Sequence, residues 1–213
     1  MAFVITVAQQ KGGAGKTTLA ANLAAAWAGS CRVAILDIDP QRSLSRWHAM
    51  RADNPRATRP IDHSEKAGWR MAAELDRLKR DHDIVIVDSP PQIDTDAKLS
   101  IRGADLVLVP VQPSLPDLWA AEGTLKLATL ERRAARIVLN RAPASGALRD
   151  RVMAQIAESG AIRCGSVLGN RIGFANAFAL GLGVIESAPK SQAALELMSL
   201  VKEIEDLKAS AVM

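Results

Sequence analysis

The stretch AQQKGGAGKTT, residues 8–18, is the segment of this chain that is most informative about its fold. It follows the apolar run FVITVA, residues 3–8, and it leads into an alanine-rich stretch with helical periodicity. A glycine-rich turn between a strand and a helix directs backbone N–H groups inward, and together with the helix N-terminus these groups bind phosphate. The stretch therefore predicts a nucleotide-binding loop that varies the pattern G-x-x-x-x-G-K-[ST].

The residues predicted to hold the nucleotide are those of the loop and the first helical turn: Gly12, Gly13, Ala14, Gly15, Lys16, Thr17 and Thr18. Lys16 is expected to reach the β- and γ-phosphate oxygens, Thr17 to place its hydroxyl on Mg²⁺, and Thr18 to bond the α-phosphate. Gln10 stands where the pattern has its first glycine, and a second lysine, Lys11, precedes the loop. These two departures raise the question of what Lys11 does.

Short apolar runs alternate with stretches of helical periodicity along the whole chain. Strands are predicted at residues 3–8, 32–37, 83–88, 105–110, 135–140 and near 164–168, and helices at 16–28, 116–130 and 191–208. This alternation predicts an α/β fold, a doubly wound, mostly parallel sheet with helices on both faces. Ligands of such sheets lie at the carboxyl ends of the strands.

Two segments carry more detailed expectations. Residues 51–66 contain two prolines and few apolar side chains, so a surface loop is predicted there. The last helix is predicted to pack through apolar residues at helical spacing, which are Leu195, Met198, Val201, Ile204 and Leu207.

The 213 residues fit a single domain, residues 1–213. A net charge of +4 is too small for bulk attraction to nucleic acid, so any DNA contact must come from local clustering. No apolar run approaches the roughly 18–20 residues of a membrane span, and the N-terminus lacks the basic start of a signal peptide. Cys31 and Cys164 lack metal-ligand spacing. A cytoplasmic protein is expected.

Acidic residues end two of the predicted strands. Asp88, in DIVIVDSPP, occupies the position of a Walker B carboxylate and is expected to hold Mg²⁺ through a water. Asp39, in DIDPQRS, is expected near the γ-phosphate, where it would orient or deprotonate the attacking water. Asp39 followed by Pro40 is also a good N-cap and N1 pair for the next helix. For Asp37 two interpretations stay open, a direct role in catalysis and a role in helix capping or support of the site.

The segments KGGAGKTT, DIDPQRS and DSPP, in this order, resemble the ParA/MinD family of deviant Walker A ATPases. The resemblance covers essentially the whole chain, since VPVQPS and LNRAP are similar to later family segments. It implies ATP and Mg²⁺ as cofactors, slow intrinsic hydrolysis, and a homodimer that sandwiches two ATP molecules. It also implies that Lys11 is the signature lysine, which reaches the partner's phosphates, so that Lys11, Lys16 and Asp39 are the catalytic residues.

The resemblance extends to the base of the nucleotide. It implies that Asn140 contacts adenine, with Arg141 and residues 110–114 lining the base pocket. Asparagine at a strand end is also common for reasons of turn geometry alone, so both interpretations of Asn140 stay open.

The branches of the family differ in the surface that the ATP-bound dimer binds. The C-terminal sequence carries Glu203, Glu205 and Asp206, which disfavours the basic membrane helix of MinD-type members. Cys31 and Cys164 do not match the cluster cysteines of the nitrogenase iron protein branch. ParA-type members hold DNA nonspecifically through basic residues, and the candidates here are Arg149, Arg163, Arg171 and Lys190.

The resemblance thus predicts a small, single-domain ParA-like ATPase, associated with the nucleoid. Its partners would be nonspecific DNA and a ParB-like or other cargo adaptor that stimulates hydrolysis, and its work would be partitioning or positioning of a plasmid, chromosome or protein cluster. Three alternatives stay open: a MinD-like ATPase on a membrane surface, a metabolic P-loop ligase similar to dethiobiotin synthetase, and a nucleotide-binding scaffold without hydrolysis.

Overall fold

Seven strands form one parallel sheet in the computed structural model, which describes residues 1–92 and 95–212. The order across the sheet is β3-β2-β4-β1-β5-β6-β7. The strands are β1 (Phe3–Val7), β2 (Val33–Asp37), β3 (Asp62–Ser64), β4 (Ile84–Asp88), β5 (Leu106–Val111), β6 (Ala134–Ala142) and β7 (Arg163–Gly169). The central strands β2, β4 and β5 are buried along their whole length, as expected of strands that are covered on both faces.

Helices cover both faces of the sheet. They are α1 (Lys16–Ala28), α2 (Ser43–Ala52), α3 (Met71–Asp81), α4 (Thr95–Gly103), α5 (Leu115–Leu130), α6 (Ala147–Glu158), α7 (Ile172–Phe178), α8 (Val184–Ser187) and α9 (Gln192–Val212), with a 3₁₀ turn at Gly68–Arg70. One apolar core joins the sheet to α1, α2, α7, α8 and α9, and a second joins it to α3, α4, α5 and α6. Because strand side chains alternate between faces, Ile5 enters the first core and Val4 the second. The predicted doubly wound α/β fold is confirmed.

The register of the sheet brings polar residues together at the carboxyl edge. Val7, at the end of β1, is paired with Asp88, at the end of β4. Asp88 is paired in turn with Asp37, at the end of β2. The phosphate loop follows β1 directly, so it begins beside Asp88.

The segment 51–66, predicted to be a surface loop, differs from that expectation at both ends. Arg51 is buried in α2, where its guanidinium donates to both carboxylate oxygens of Glu186, at 2.6 and 2.7 Å. Residues 62–64 form the edge strand β3, which pairs with β2. This strand has no apolar run, because an edge strand of three residues needs little buried surface, and the sequence pattern therefore missed it.

The apolar face of α9 is also shifted from the predicted one. Leu195 and Met198 are 58% and 45% exposed, whereas Leu197 and Leu200 are buried. Val201 and Ile204 are buried as predicted, and Leu207 packs against the core partly buried. Among the described residues, no helix is both long enough and apolar enough to cross a membrane.

Candidate nucleotide site

The glycine-rich loop joins β1 to α1 and has the backbone conformation that its glycines permit. Gly13 and Gly15 have φ values of 78° and 94°, in the left-handed region. Gly15 is doubly constrained, because a Cβ atom there would lie 2.4 Å from Nδ2 of Asn140. The loop therefore turns tightly against Asn140 and leads into the N-terminus of α1, where backbone N–H groups lack helical partners.

Lys16 lies at the start of α1 and is almost fully buried. Its Nζ atom donates a hydrogen bond to the carbonyl of Lys11, at 3.4 Å. Burial lowers the pKa of Lys16, and the negative charges of Asp88 and Asp39 oppose that shift. The lysine is thus a partly desolvated cation beside the loop, which strengthens its attraction to a phosphate group.

Asp88 is fully buried at the end of β4, and neither of its carboxylate oxygens has a hydrogen-bond partner among the described residues. Burial raises the pKa of Asp88 to about 8, the negative charges of Asp37 and Asp39 add to the shift, and the positive charge of Lys16 opposes it. A buried carboxylate without a partner is costly unless a ligand compensates it. Its position indicates a site for a cation.

The residues present fit Mg²⁺. Thr17 offers a hydroxyl and Asp88 two unpaired oxygens, and the described residues hold no cluster of three or more His, Cys, Asp or Glu side chains that could bind a metal by themselves. Mg²⁺ keeps several waters and is commonly held by one or two protein oxygens and the phosphates of the substrate. We propose Thr17 as a direct ligand and Asp88 as a ligand through water. When bound, the ion would neutralise charge on the phosphate groups.

Asp37 and Asp39 have different partners. Asp37 is buried and accepts hydrogen bonds from the backbone and hydroxyl of Ser45, both at 2.8 Å, so it caps the first turn of α2 from a neighbouring strand. It also accepts the N–H of Asp39, at 3.1 Å. The expected supporting role of Asp37 agrees with this geometry.

Asp39 is not the N-cap of α2. That helix begins at Ser43 with Arg42 as its N-cap, and the Asp39 carboxylate instead accepts the N–H of Gln41, at 2.9 Å. The alternative of an Asp39–Pro40 cap is therefore wrong. Half-buried Asp39 lines a cavity beside the loop, together with Lys16 and Thr17. This cavity, called the loop cavity below, has a volume of about 300 Å³. The role of Asp39 in positioning water stays a prediction.

Lys11 is held by its own chain. Its Nζ atom forms an ion pair with the carboxylate of Asp117, which is 1% exposed, whereas the Lys11 side chain is 42% exposed. The same carboxylate accepts the hydroxyl of Ser114 at 3.0 Å and the N–H of Gln112 at 3.2 Å. Lys11 must leave Asp117 before it can reach a nucleotide in another subunit.

Gln10, the residue in place of the usual glycine, lies against Gly123 in the middle of α5. A Cβ atom at position 123 would be 1.8 Å from Nε2 of Gln10, so any larger residue there would force the Gln10 amide to move. The preceding residue, Gln9, donates to the carbonyls of Pro110 and Asp117, at 3.3 and 3.2 Å. The entrance to the phosphate loop is thus fixed on the β5–α5 connection, which explains the variant sequence.

The contact between Gln10 and Gly123 predicts a dependence between the two positions. Alanine is about 1 kcal/mol better than glycine inside a helix, so Gly123→Ala should stabilise the protein by that amount when Gln10 is replaced by alanine. With Gln10 present, the displaced amide should remove most of the gain. Urea unfolding of the parent protein, the two single variants and the double variant measures these free energies. An equal gain in stability from Gly123→Ala with and without Gln10 would show that the contact has no energetic role.

A second cavity, called the β7 cavity below, lies between α1, the ends of β6 and β7, and the start of α7, and has a volume of about 300 Å³. Asn140 lines it, but its amide donates to the carbonyl of Ala14 at 2.8 Å, and its oxygen accepts the N–H of Arg141 at 3.0 Å. In this structure Asn140 therefore supports the phosphate loop. Its contact with adenine stays a prediction.

The segment 110–114, expected to line the base pocket, does not line the β7 cavity, and its contact with the base stays a prediction. Its Gln112 donates to the carbonyl of Gly13, at 2.8 Å, on the side of the loop that faces α5. The far wall of the cavity is formed by residues 168–172, 174 and 175. Arg171, one of the DNA candidates, belongs to this wall. Its position beside Asn170, directly after β7, is the sequence signal that could have indicated a ligand site.

The four DNA candidates lie on different elements, and three of them make contacts within the chain. Arg149 donates to the carbonyls of residues 143 and 144, and Arg163 to those of residues 164 and 165. Arg171 forms an ion pair with Glu196, at 2.8 Å, and lines the β7 cavity. Lys190 is exposed. Their contact with DNA stays a prediction.

The chain is similar in sequence to known nucleotide-binding proteins. Residues 5–207 match the family model described as the CobQ/CobB/MinD/ParA nucleotide binding domain. Maintenance of carboxysome distribution protein A from Halothiobacillus neapolitanus is 29% identical over 211 residues, which cover 95% of this chain and 96% of that protein.

Two solved structures are similar in fold. Apo McdA from Cyanothece superposes with a TM-score of 0.78 at 18% identity, over 96% of this chain and all of that one. MinD from Pyrococcus horikoshii in complex with Mg-ADP superposes with a TM-score of 0.76 at 16% identity, over 98% of both chains. Both structures thus share the fold of this chain.

Proposed function

The chain belongs to the CobQ/CobB/MinD/ParA nucleotide-binding domain family and is one of its ATPases, and we propose that it is an ATP-dependent switch that positions a cargo on DNA. ATP and Mg²⁺ are its cofactors. In the proposed cycle the ATP-bound protein is a homodimer that binds DNA nonspecifically in the cytoplasm, over the nucleoid. A cargo-bound adaptor stimulates hydrolysis, and hydrolysis releases the protein from DNA.

The observation that carries this proposal is the position of Lys11. A second cation at the entrance to the phosphate loop is not needed to bind the chain's own phosphates, since Lys16 is already buried there. Lys11 is half-exposed and stays near the loop through Asp117. A cation supplied by another subunit can stabilise the charge of the transferring phosphoryl group, as an arginine finger does.

The cargo we propose to test first is a protein assembly. The relative from Halothiobacillus neapolitanus, similar over nearly the whole chain, is named for maintenance of carboxysome distribution. A membrane surface is the weaker alternative, because Glu203 and Glu205 on α9 accept hydrogen bonds from Gly165 and Trp27 of the same chain. Partition of a plasmid or chromosome would use the same cycle with another adaptor.

The switch requires that ATP favour the dimer over separate subunits, and that the dimer bind DNA more tightly than one subunit does. We expect a nonspecific duplex to bind with Mg-ATP, to bind more weakly with Mg-ADP, and to be released as salt is raised. Fluorescence anisotropy gives the DNA affinity, and light scattering after size exclusion gives the mass. If ATP changes neither quantity, the switch proposal is wrong. Lys11→Ala is the matched control, which should bind ATP and remain monomeric.

A further inference from the structure

Arg141 lies at the junction of the two cavities that flank the phosphate loop. Among the described residues, it is the one charged side chain that lines both the β7 cavity and the loop cavity. Gly15 and Thr18 of the loop and first turn line both cavities as well. The three residues therefore mark the passage from one cavity to the other.

The backbone at Arg141 is held in a conformation that a residue with a side chain rarely adopts. Its φ is 50°, in the left-handed region. Two hydrogen bonds connect this backbone to the phosphate loop. The Asn140 side-chain oxygen accepts the N–H of Arg141, and the Asn140 side-chain nitrogen donates to the carbonyl of Ala14. Strained non-glycine residues of this kind cluster at functional sites. These hydrogen bonds thus fix the backbone position from which the Arg141 side chain extends.

The guanidinium itself is available to a ligand. Arg141 is exposed, and its Nη1 atom makes a long hydrogen bond, 3.3 Å, to the carbonyl of Gly13. Gly13 already accepts a shorter bond from Gln112, at 2.8 Å, so the loop would keep a partner there if Arg141 moved. A guanidinium has five N–H donors in a planar fork that fits phosphate oxygens.

We propose that Arg141 binds the α-phosphate of the nucleotide. This inference rests on the proposed nucleotide site, with the base and ribose in the β7 cavity and the β- and γ-phosphates in the loop cavity. The α-phosphate joins these two parts of a nucleotide, so it must pass the junction that Gly15, Thr18 and Arg141 form. The family resemblance implied a position for Arg141 beside the base, whereas its place at this junction directs its charge to the phosphate chain.

The experiment compares the affinities of ADP, ATP and GDP in the presence of Mg²⁺ for the parent protein and two variants. Arg141→Gly removes the guanidinium and accepts the left-handed backbone, so it should fold, and thermal unfolding checks this. Arg141→Lys retains a positive charge without the fork. We expect Arg141→Gly to lose about tenfold or more in affinity for ADP and ATP alike, with the ratio of ADP to GDP affinity unchanged, and Arg141→Lys to lose less.

Three results would overturn the inference. A loss of affinity confined to ATP would show that Arg141 contacts the γ-phosphate. A changed ratio of ADP to GDP affinity would show that it contacts the base, and unchanged affinities would show that it does not contact the nucleotide. Failure of the proposed site itself is distinguishable, because the parent protein would then bind neither ADP nor ATP.

Discussion

Replacing Lys16 with alanine is expected to weaken ATP binding about 100-fold, because a charged hydrogen bond to phosphate is lost from a buried position. Replacing Lys11 with alanine should leave ATP affinity nearly unchanged and lower hydrolysis by at least about 100-fold, as loss of a transition-state cation does. Titration with a fluorescent ATP analogue measures the first quantity, and phosphate release at saturating ATP measures the second. The two lysines are thus expected to separate binding from turnover.

The ion pair with Asp117 makes this comparison informative. Asp117 is buried and keeps hydrogen bonds from Ser114 and Gln112 when Lys11 is removed, so Lys11→Ala should fold. Lys11→Arg serves as the matched control, since it retains the charge that Asp117 needs. A Lys11→Ala protein that hydrolyses ATP as fast as its parent would exclude a catalytic role for Lys11. A Lys16→Ala protein that binds ATP normally would exclude the loop as the phosphate site.

The parts of the site that sequence could predict are those coded within a few neighbouring residues. The loop, the helix that follows it and the aspartate at the end of β4 each depend on a local pattern, and apolar runs located six of the strands within a few residues of their ends. The register of parallel strands then brings Asp37 and Asp88 together without further information.

Other contacts could not be predicted because they join distant parts of the chain. The ion pair of Lys11 with Asp117 spans 106 residues. In the sequence, Asp117 is explained by the start of α5, because the N-cap Ser114 accepts its N–H. This local role gives no sign of its ion pair with Lys11. Gly123 is an apparent weak point of a helix until Gln10 is found against it. Each residue satisfies a local rule and a distant contact together.

Replacing Asp88 with asparagine is expected to stabilise the protein without nucleotide and metal while it abolishes Mg²⁺-dependent hydrolysis. The pKa of Asp88 in the folded chain is about 8, against 3.8 as the ordinary value, so between these values the folded state binds more protons than the unfolded state. Stability of the parent protein therefore falls as pH rises through that range. At about 1.4 kcal/mol per pKa unit, the asparagine variant should gain at most about 4 kcal/mol at pH 7.

The pH dependence identifies the cause of this gain. Well below pH 4 both states carry a protonated Asp88, so the contribution of its charge to the stability difference should vanish; that contribution should then grow with pH and level off near pH 8. Urea unfolding in a chelator measures it. With Mg-ATP the order should reverse, because a ligand stabilises only the protein that binds it. A difference that does not vary with pH would show that the buried charge of Asp88 is not its origin. If the order does reverse, the Asp88 carboxylate lowers the stability of the protein without ligand and is also the group on which Mg²⁺ binding depends.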